Sequence, residues 1–273
     1  MGRSRDLQLD LSGSDAAFRA MGGVCLAAFQ DAEARLIATP DAESLHDVRV
    51  SLRRLRCTLA LFRPLARPPP VPAALLQSLS RALGAVRDLD VLMAGTPAGP
   101  LNDHLAAARQ AALASALTLL RARSTRTRLR QLSDWMLLHP PLTDEPARQF
   151  IAARLDRFWR KLRKAGRALE GGTDADRHRL RKRARTLRHA TELTGSLFLH
   201  PGRQARFTAA LAALQAALGA LNDLVAAEAL LSRLGQAHAP EAARLIGRCQ
   251  RHTLIAAAAS AFAELRQAPR AWR

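Results

Sequence analysis

The 273-residue sequence predicts an all-α fold, and three observations carry that reading. Apolar residues make up 48% of the chain but aromatics only 4%, with no Tyr. The apolar part is mostly Ala and Leu, which favour helices over the β-branched and aromatic character of sheets. Apolar positions recur every three or four residues through long stretches, the period of one helix face. Finally, the chain repeats itself: two sets of helices follow one another with the same motifs in the same order, predicting two homologous halves of four helices related by a pseudo-two-fold axis.

In chain order, residues 1–13 read as a basic leader. Ser14 or Asp15 caps a first helix to about Ala38, with Phe18, Met21, Cys25, Phe29, Ala32 and Leu36 at core spacing. Thr39 and Pro40 read as N-cap and first residue of the second helix, with Asp41 and Glu43 in its positive first turn. That helix stops near Phe62. Pro64 to Pro72 holds five prolines and reads as a stiff connector. The third helix spans about Pro72–Met93, the segment GTPAGP turns the chain, and the fourth starts near Leu101, continuing or breaking and resuming through Arg121–Leu138. HPPLTDEP, residues 139–146, divides a first half (14–138) from a second (147–267). The fifth helix is about Pro146–Leu169. Thr173 caps the sixth (Asp174–Leu199) with Asp176 at the capping-box position. His200-Pro201-Gly202 is a turn, and two helices follow, about Arg203–Leu234 and Pro240–Arg266.

The charge has a pattern. Lys and Arg number 42 against 23 Asp and Glu, a net charge of +19, and every basic residue except Lys161, Lys164 and Lys182 is Arg. Such a balance points to a polyanionic partner. A GC-rich genome also enriches Arg, Ala and Leu, but it does not decide where the arginines sit. In the second helix His46, Arg49, Arg53 and Arg56 fall within about 80° of one another at 100° per residue. Leu45, Val48, Leu52, Leu55 and Leu59 form a separate apolar face. The sixth helix repeats the stripe as His178, Arg181, Arg185 and Arg188. LGAVRDL (83–89) follows the first stripe and LGALNDL (218–224) the second, with 38 and 41 residues from stripe histidine to motif glycine. A two-fold axis lets the stripes face each other across a groove, and like charges held close are best tolerated where an anion fills it.

Gly84 and Gly219 read as points of close helix approach, and Asp88 and Asp223 as carboxylates that orient the stripe from behind. Further basic contacts are possible from Arg19, Arg54, Arg157, Lys161, Lys182 and His189. The arginines of 121–130 point all round their helix, as on a solvated surface, and Trp135, Phe158 and Trp159 read as core or interface. His46-Asp47 lacks the further ligands of a metal-dependent phosphohydrolase, and no metal or cofactor is expected. Cys25, Cys57 and Cys249 have no metal-ligand spacing and read as buried thiols in a reducing compartment. The start of the chain has no hydrophobic signal core. No uncharged apolar run reaches the length of a membrane span; 207–222, interrupted by Gln215, comes nearest.

The paired motifs, HDVRVSLRRLR with LGAVRDLD and HRLRKRARTLR with LGALNDL, resemble the CHAD family, the conserved histidine α-helical domain, over about residues 14–267. The resemblance implies two four-helix bundles packed around a basic central cavity that binds long-chain inorganic polyphosphate without catalysis, in the cytoplasm at polyphosphate granules. Carried over by position, the ligand-facing residues are His46, Arg49, Arg53, Arg56, His178, Arg181, Arg185 and Arg188. Two positions depart from the pattern: Thr186 stands opposite Arg54, and His189 stands where an aromatic is common. Many relatives carry a triphosphatase domain marked by E-x-E-x-K; this sequence has no such signature. The alternative is a nucleic-acid backbone binder, but the stripes lack the interleaved aromatics that stack bases. A phosphotransfer enzyme would need a metal cluster or phosphate loop that the sequence does not offer.

Overall fold

The computed structural model describes residues 13–65, 70–138, 143, 145–236 and 251–273. The basic leader to residue 12, the middle of the proline connector, most of HPPLTDEP, Cys249 and the expected start of the last helix lie outside the described residues. What is described is helical, with no strand among it: α1 Ser14–Ala38, α2 Ala42–Phe62, α3 Pro70–Ala94, α4 Pro100–Arg121, α5 Arg123–Leu138, α6 Ala147–Gly166, α7 Asp174–Thr194, a 3-10 turn Gly195–Leu197, α8 Pro201–Arg233 and α9 Arg251–Gln267.

Several ends differ from the sequence reading, each for a local reason. The cap of α2 is Asp41, not Thr39: its carboxylate accepts the Ser44 N–H at 2.7 Å while the Ser44 hydroxyl accepts the Asp41 N–H at 3.1 Å. That reciprocal box satisfies two orphan donors, which Thr39 with Pro40 behind it does not. Thr39 instead closes α1, its N–H donating to the Arg35 carbonyl. The start of α1 has no side-chain cap; the Ser14 N–H donates to the Glu145 carbonyl across the boundary between the halves. The fourth helix breaks at Ala122, whose ψ of 134° is extended. α6 stops at Gly166, and α7 stops at Thr194 in the 3-10 turn rather than running to Leu199. Pro201 is not in a turn but opens α8, where its missing N–H costs nothing. The box of Thr173 with Asp176 stands as the sequence predicts.

The helices of the two halves pack within each half and across the middle. α1 packs on α2 and α6 on α7, and across the middle α1 meets α6, α2 meets α7 and α3 meets α8. One apolar core runs through both halves, from Phe18, Phe29 and Phe62 to Leu155, Phe207 and Trp272. Aromatic rings knit it: Phe62 stacks on Phe150 at 5.5 Å, and Phe207 meets Trp272 edge-on at 5.0 Å. Trp159 is buried in this core and Phe158 and Trp135 pack against it. A small satellite core of Leu89, Leu92, Leu101, Leu105, Leu230 and Leu231 joins α3, α4 and α8. Gly166 permits one close approach: a Cβ there would collide with the Phe262 ring, so its absence seats α9 against the end of α6.

α8 contains the apolar run 207–222. At 33 residues, with a mean hydropathy of 1.5 over its best window, it is long and apolar enough to cross a membrane by length and composition. In the fold it packs against α7, α9 and α3, with Phe207, Leu211, Leu214, Leu218 and Leu221 turned inward. Cys25 and Cys57 are free and buried, and burial pushes both thiols above their ordinary range.

Candidate functional site

The stripes sit on α2 and α7, which meet between the two halves with Cys57 Sγ 3.4 Å from the Thr186 carbonyl. The apolar residues Val48, Leu52 and Leu55 on α2 and Leu180, Ala184 and Leu187 on α7 are buried. This fixes the rotation of each helix and leaves the cationic edges directed together.

Arg49, Arg53, Arg181 and Arg185 are half-buried, and they act on one another across the helix pair. Burial lowers the pKa of the Arg53 guanidinium to about 10, with Arg49, Arg181 and Arg188 adding to the effect and Glu192 opposing it. Arg185 is pushed down to about 9 by burial and then by Arg181, Arg53 and Arg49, against Asp223. Arg49 and Arg181 are lowered by burial too; Asp88 opposes in both, and Asp223 opposes more strongly at Arg181. All four remain cations at neutral pH, gathered at one place with less negative charge than they need. Burial raises the Asp88 carboxyl, with Arg49 opposing and the facing Asp223 adding to the rise. Asp88 and Asp223 thus belong to the site, though the one close pairing is loose, Asp223 Oδ1 to Arg181 Nη2 at 4.0 Å.

The groups that orient the stripe are mostly others. Arg49 Nη1 donates to the Leu83 carbonyl at 2.6 Å, beside Gly84. A Cβ on Gly84 would touch the Arg49 guanidinium at an ordinary 3.7 Å, and one on Gly219 would meet nothing. The sequence suggested close helix contacts at the motif glycines and neither marks one; Gly84 lies instead beside the Arg49 guanidinium. Asn222 takes His178 at 2.8 Å. Arg56 Nη1 donates to Ser80 Oγ at 2.7 Å, and Arg188 Nη1 reaches Gln215 Oε1 at 3.4 Å. Ser80 and Gln215 each stand four residues before a motif glycine; that shared place was the signal available in the sequence. Arg188 is further held by Glu192 at 2.6 Å. His46 is exposed at the opening end of its stripe.

The additional candidates separate. His189 joins the site, with 12% of its side chain exposed and Nδ1 3.3 Å from Glu192 Oε2. Arg19 does not: it binds Asp15 at 2.9 Å and the Leu137 carbonyl, between α1 and α5. Arg54 is exposed, and its charge acts on Cys25 of α1. Lys182 is exposed on α7. Arg157 and Lys161 fall in a different cluster, with Arg154, Arg183 and Arg63, that depresses the Lys161 ammonium after burial. There Arg154 has a structural task, donating to the Leu61 and Ala60 carbonyls at the end of α2.

His189 gives a pH prediction. Burial holds its pKa below the ordinary value, the Glu192 hydrogen bond opposes, and Arg53 and Arg185 add to the lowering. An anion that neutralises those arginines raises it again. Binding then takes up a proton, so affinity rises as pH falls through the bound-state pKa and is flat above it. Each unit of upshift is worth about tenfold. Titration of a polyanion between pH 8 and 6 is expected to show this slope and His189→Gln to flatten it. A full slope in that variant would remove His189 as the group that takes up the proton.

Comparison with known proteins bears on the family and the fold. The model of the family described as the CHAD domain matches residues 20–232. Among solved structures, the crystal structure of the CHAD domain from the plant Ricinus communis is similar at 33% identity and a TM-score of 0.82, covering 99% of this chain and 97% of that one. Among curated proteins, none matches.

Proposed function

The chain belongs to the CHAD domain family, and from that premise we propose that it is a non-catalytic binder of long-chain inorganic polyphosphate, held between the stripes of α2 and α7. One observation carries the reading: Arg49, Arg53, Arg181 and Arg185 gather from both halves, half-buried and all lowered by burial, with neighbouring arginines adding to the lowering at Arg49, Arg53 and Arg185. A linear anion with about one charge per phosphate offsets all four at once. Arg suits it because the planar fork donates two hydrogen bonds to phosphate. The stripe supplies no aromatic for base stacking, which argues for a polymer without bases over RNA or DNA. On the same reading the protein works in the cytoplasm at polyphosphate granules, as a binding module and not an enzyme.

Competition at physiological salt tests this. Long-chain polyphosphate is expected to displace both single-stranded RNA and duplex DNA, and its affinity to fall as salt rises. The same incubations, with added divalent metal, are expected to leave polyphosphate chain length unchanged. Equal or tighter retention of RNA at the same salt would replace the polymer with nucleic acid. Chain shortening that disappears in His46→Ala would make the protein an enzyme.

A further inference from the structure

A second basic region lies on the outside of the second half, where α6 and α9 run side by side. Two clefts, of about 610 and 570 Å3, meet there along Arg160, Arg163, Ala263 and Arg266. Lys164 and Arg167 extend one end, Arg270 and Arg273 the other. Each cleft is the size of a ligand pocket. Together they follow α6 from Asp156 to its end at Gly166, about 15 Å at 1.5 Å per residue, and continue past it to Glu170. Of the two acids on the wall, Asp156 is already taken by Arg270 at 3.1 Å, Trp272 at 2.9 Å and Arg273. Glu170 lies at the far end. Arg160, Arg163, Lys164, Arg167 and Arg266 have no hydrogen bond or ion pair to any side chain among the described residues. The carbonyl ends of α6 and α9 favour Arg163 and Arg266 one at a time. They do not offset the approach of both walls.

We propose that this trough is a second site for a phosphate polyanion, distinct from the stripes. The assignment rests on the polyphosphate reading for its occupant. The charges acting on the stripe arginines come from α2, α3, α7 and α8, not from the trough. Nor does the trough follow from the internal repeat: α6 carries seven basic residues and one acid, whereas α1, its counterpart, carries two basic and three acidic. Trp159 and Phe262 on the walls are only 5% and 8% exposed, so the trough offers guanidiniums without stacking faces, which favours a linear phosphate polymer over bases. With no residue shared between the stripes and the trough, one molecule holds two polymer segments.

Arginine-selective labelling with phenylglyoxal, read residue by residue by mass spectrometry with and without long-chain inorganic polyphosphate, tests this. Arg160, Arg163 and Arg266 are expected to react at least about threefold more slowly with polymer, because charge-assisted hydrogen bonds to phosphate cover the guanidinium. Exposed Arg128 and Arg130 on α5 should keep their rates. Protection of Arg49 and Arg181 with none at Arg160, Arg163 and Arg266 overturns the trough and leaves the stripe reading standing. Protection in the trough alone does the reverse. Protection of neither ends both, and protection of Arg128 and Arg130 to the same degree overturns the trough as a specific site. Arg160→Gln, Arg163→Gln and Arg266→Gln combined are further expected to abolish the turbidity that polymer bridging produces; unchanged turbidity would overturn the two-segment claim.

Discussion

Replacing Arg49, Arg53, Arg181 and Arg185 together by Gln is expected to weaken polyphosphate binding by at least about a hundredfold while leaving the protein as stable as before, or more so. A hydrogen bond to a charged group contributes roughly 1.5–3 kcal/mol. A flexible polymer can slide past one missing partner, so a single substitution should cost only about threefold to tenfold on that scale. Four substitutions leave it nowhere to slide, because these are the groups drawn from both halves onto one place. The stability side follows from the sign of the shifts. Folding lowers the Arg53 guanidinium to about 10 and that of Arg185 to about 9. A base lowered on folding has a charged form that folding disfavours, so at pH 7 the whole penalty is present. It fades only as pH rises through the folded values. Neutral Gln removes it. Labelled-polymer titration and thermal unfolding read the two halves of the expectation. Binding within about threefold of the original would remove these arginines from the site, since even one lost charged hydrogen bond should cost that much. A Tm lowered by many degrees would make them structural.

The stripes could be read directly from the sequence because helical period alone puts i, i+3, i+7 and i+10 on one edge, and the second copy removes the ambiguity of the first. Their convergence needed only the assumption that the two stripe helices meet, and α2 and α7 are in contact. What orients them was hidden for different reasons. The Leu83 carbonyl that receives Arg49 has no signature in residue type. Ser80 and Gln215 do equivalent work with unlike side chains, so a motif comparison passes over them. Arg19 was a candidate because its helix was known and its facing was not; only the packing of α1 on α5 turns it toward Leu137. The α6–α9 trough lies further still from the sequence, since it depends on two helices about a hundred residues apart meeting side by side. Among local features, the Asp41–Ser44 box lost to Thr39-Pro40 because two capping signals sit within three residues and only backbone geometry decides between them.

The same reasoning locates the point on which the fold itself depends. Phe62, the last residue of α2, is fully buried, stacked on Phe150 of α6 at 5.5 Å and 17° and tilted against Phe18 of α1 at 5.4 Å. It therefore joins a site-bearing helix of the first half to the opening helix of the second. Arg154 of α6 closes the same junction by donating to the two carbonyls just before it. Phe62→Ala is expected to cost about 3–5 kcal/mol, the transfer energy of the ring plus the cavity it leaves. Domains hold only about 5–15 kcal/mol in all, so the variant should be marginal at 37 °C. Phe62→Leu, which refills most of the space, should lose much less. Val24, 45% exposed on α1, is the control, and Val24→Ala should stay within about 0.5 kcal/mol. Urea unfolding followed by far-UV circular dichroism gives the comparison, with a lowered midpoint and unchanged slope marking a loss of stability alone. If Phe62→Ala unfolds at the same urea concentration as Val24→Ala, the aromatic junction does not hold the halves together, and the α2–α7 contact must be sustained by the rest of the shared core.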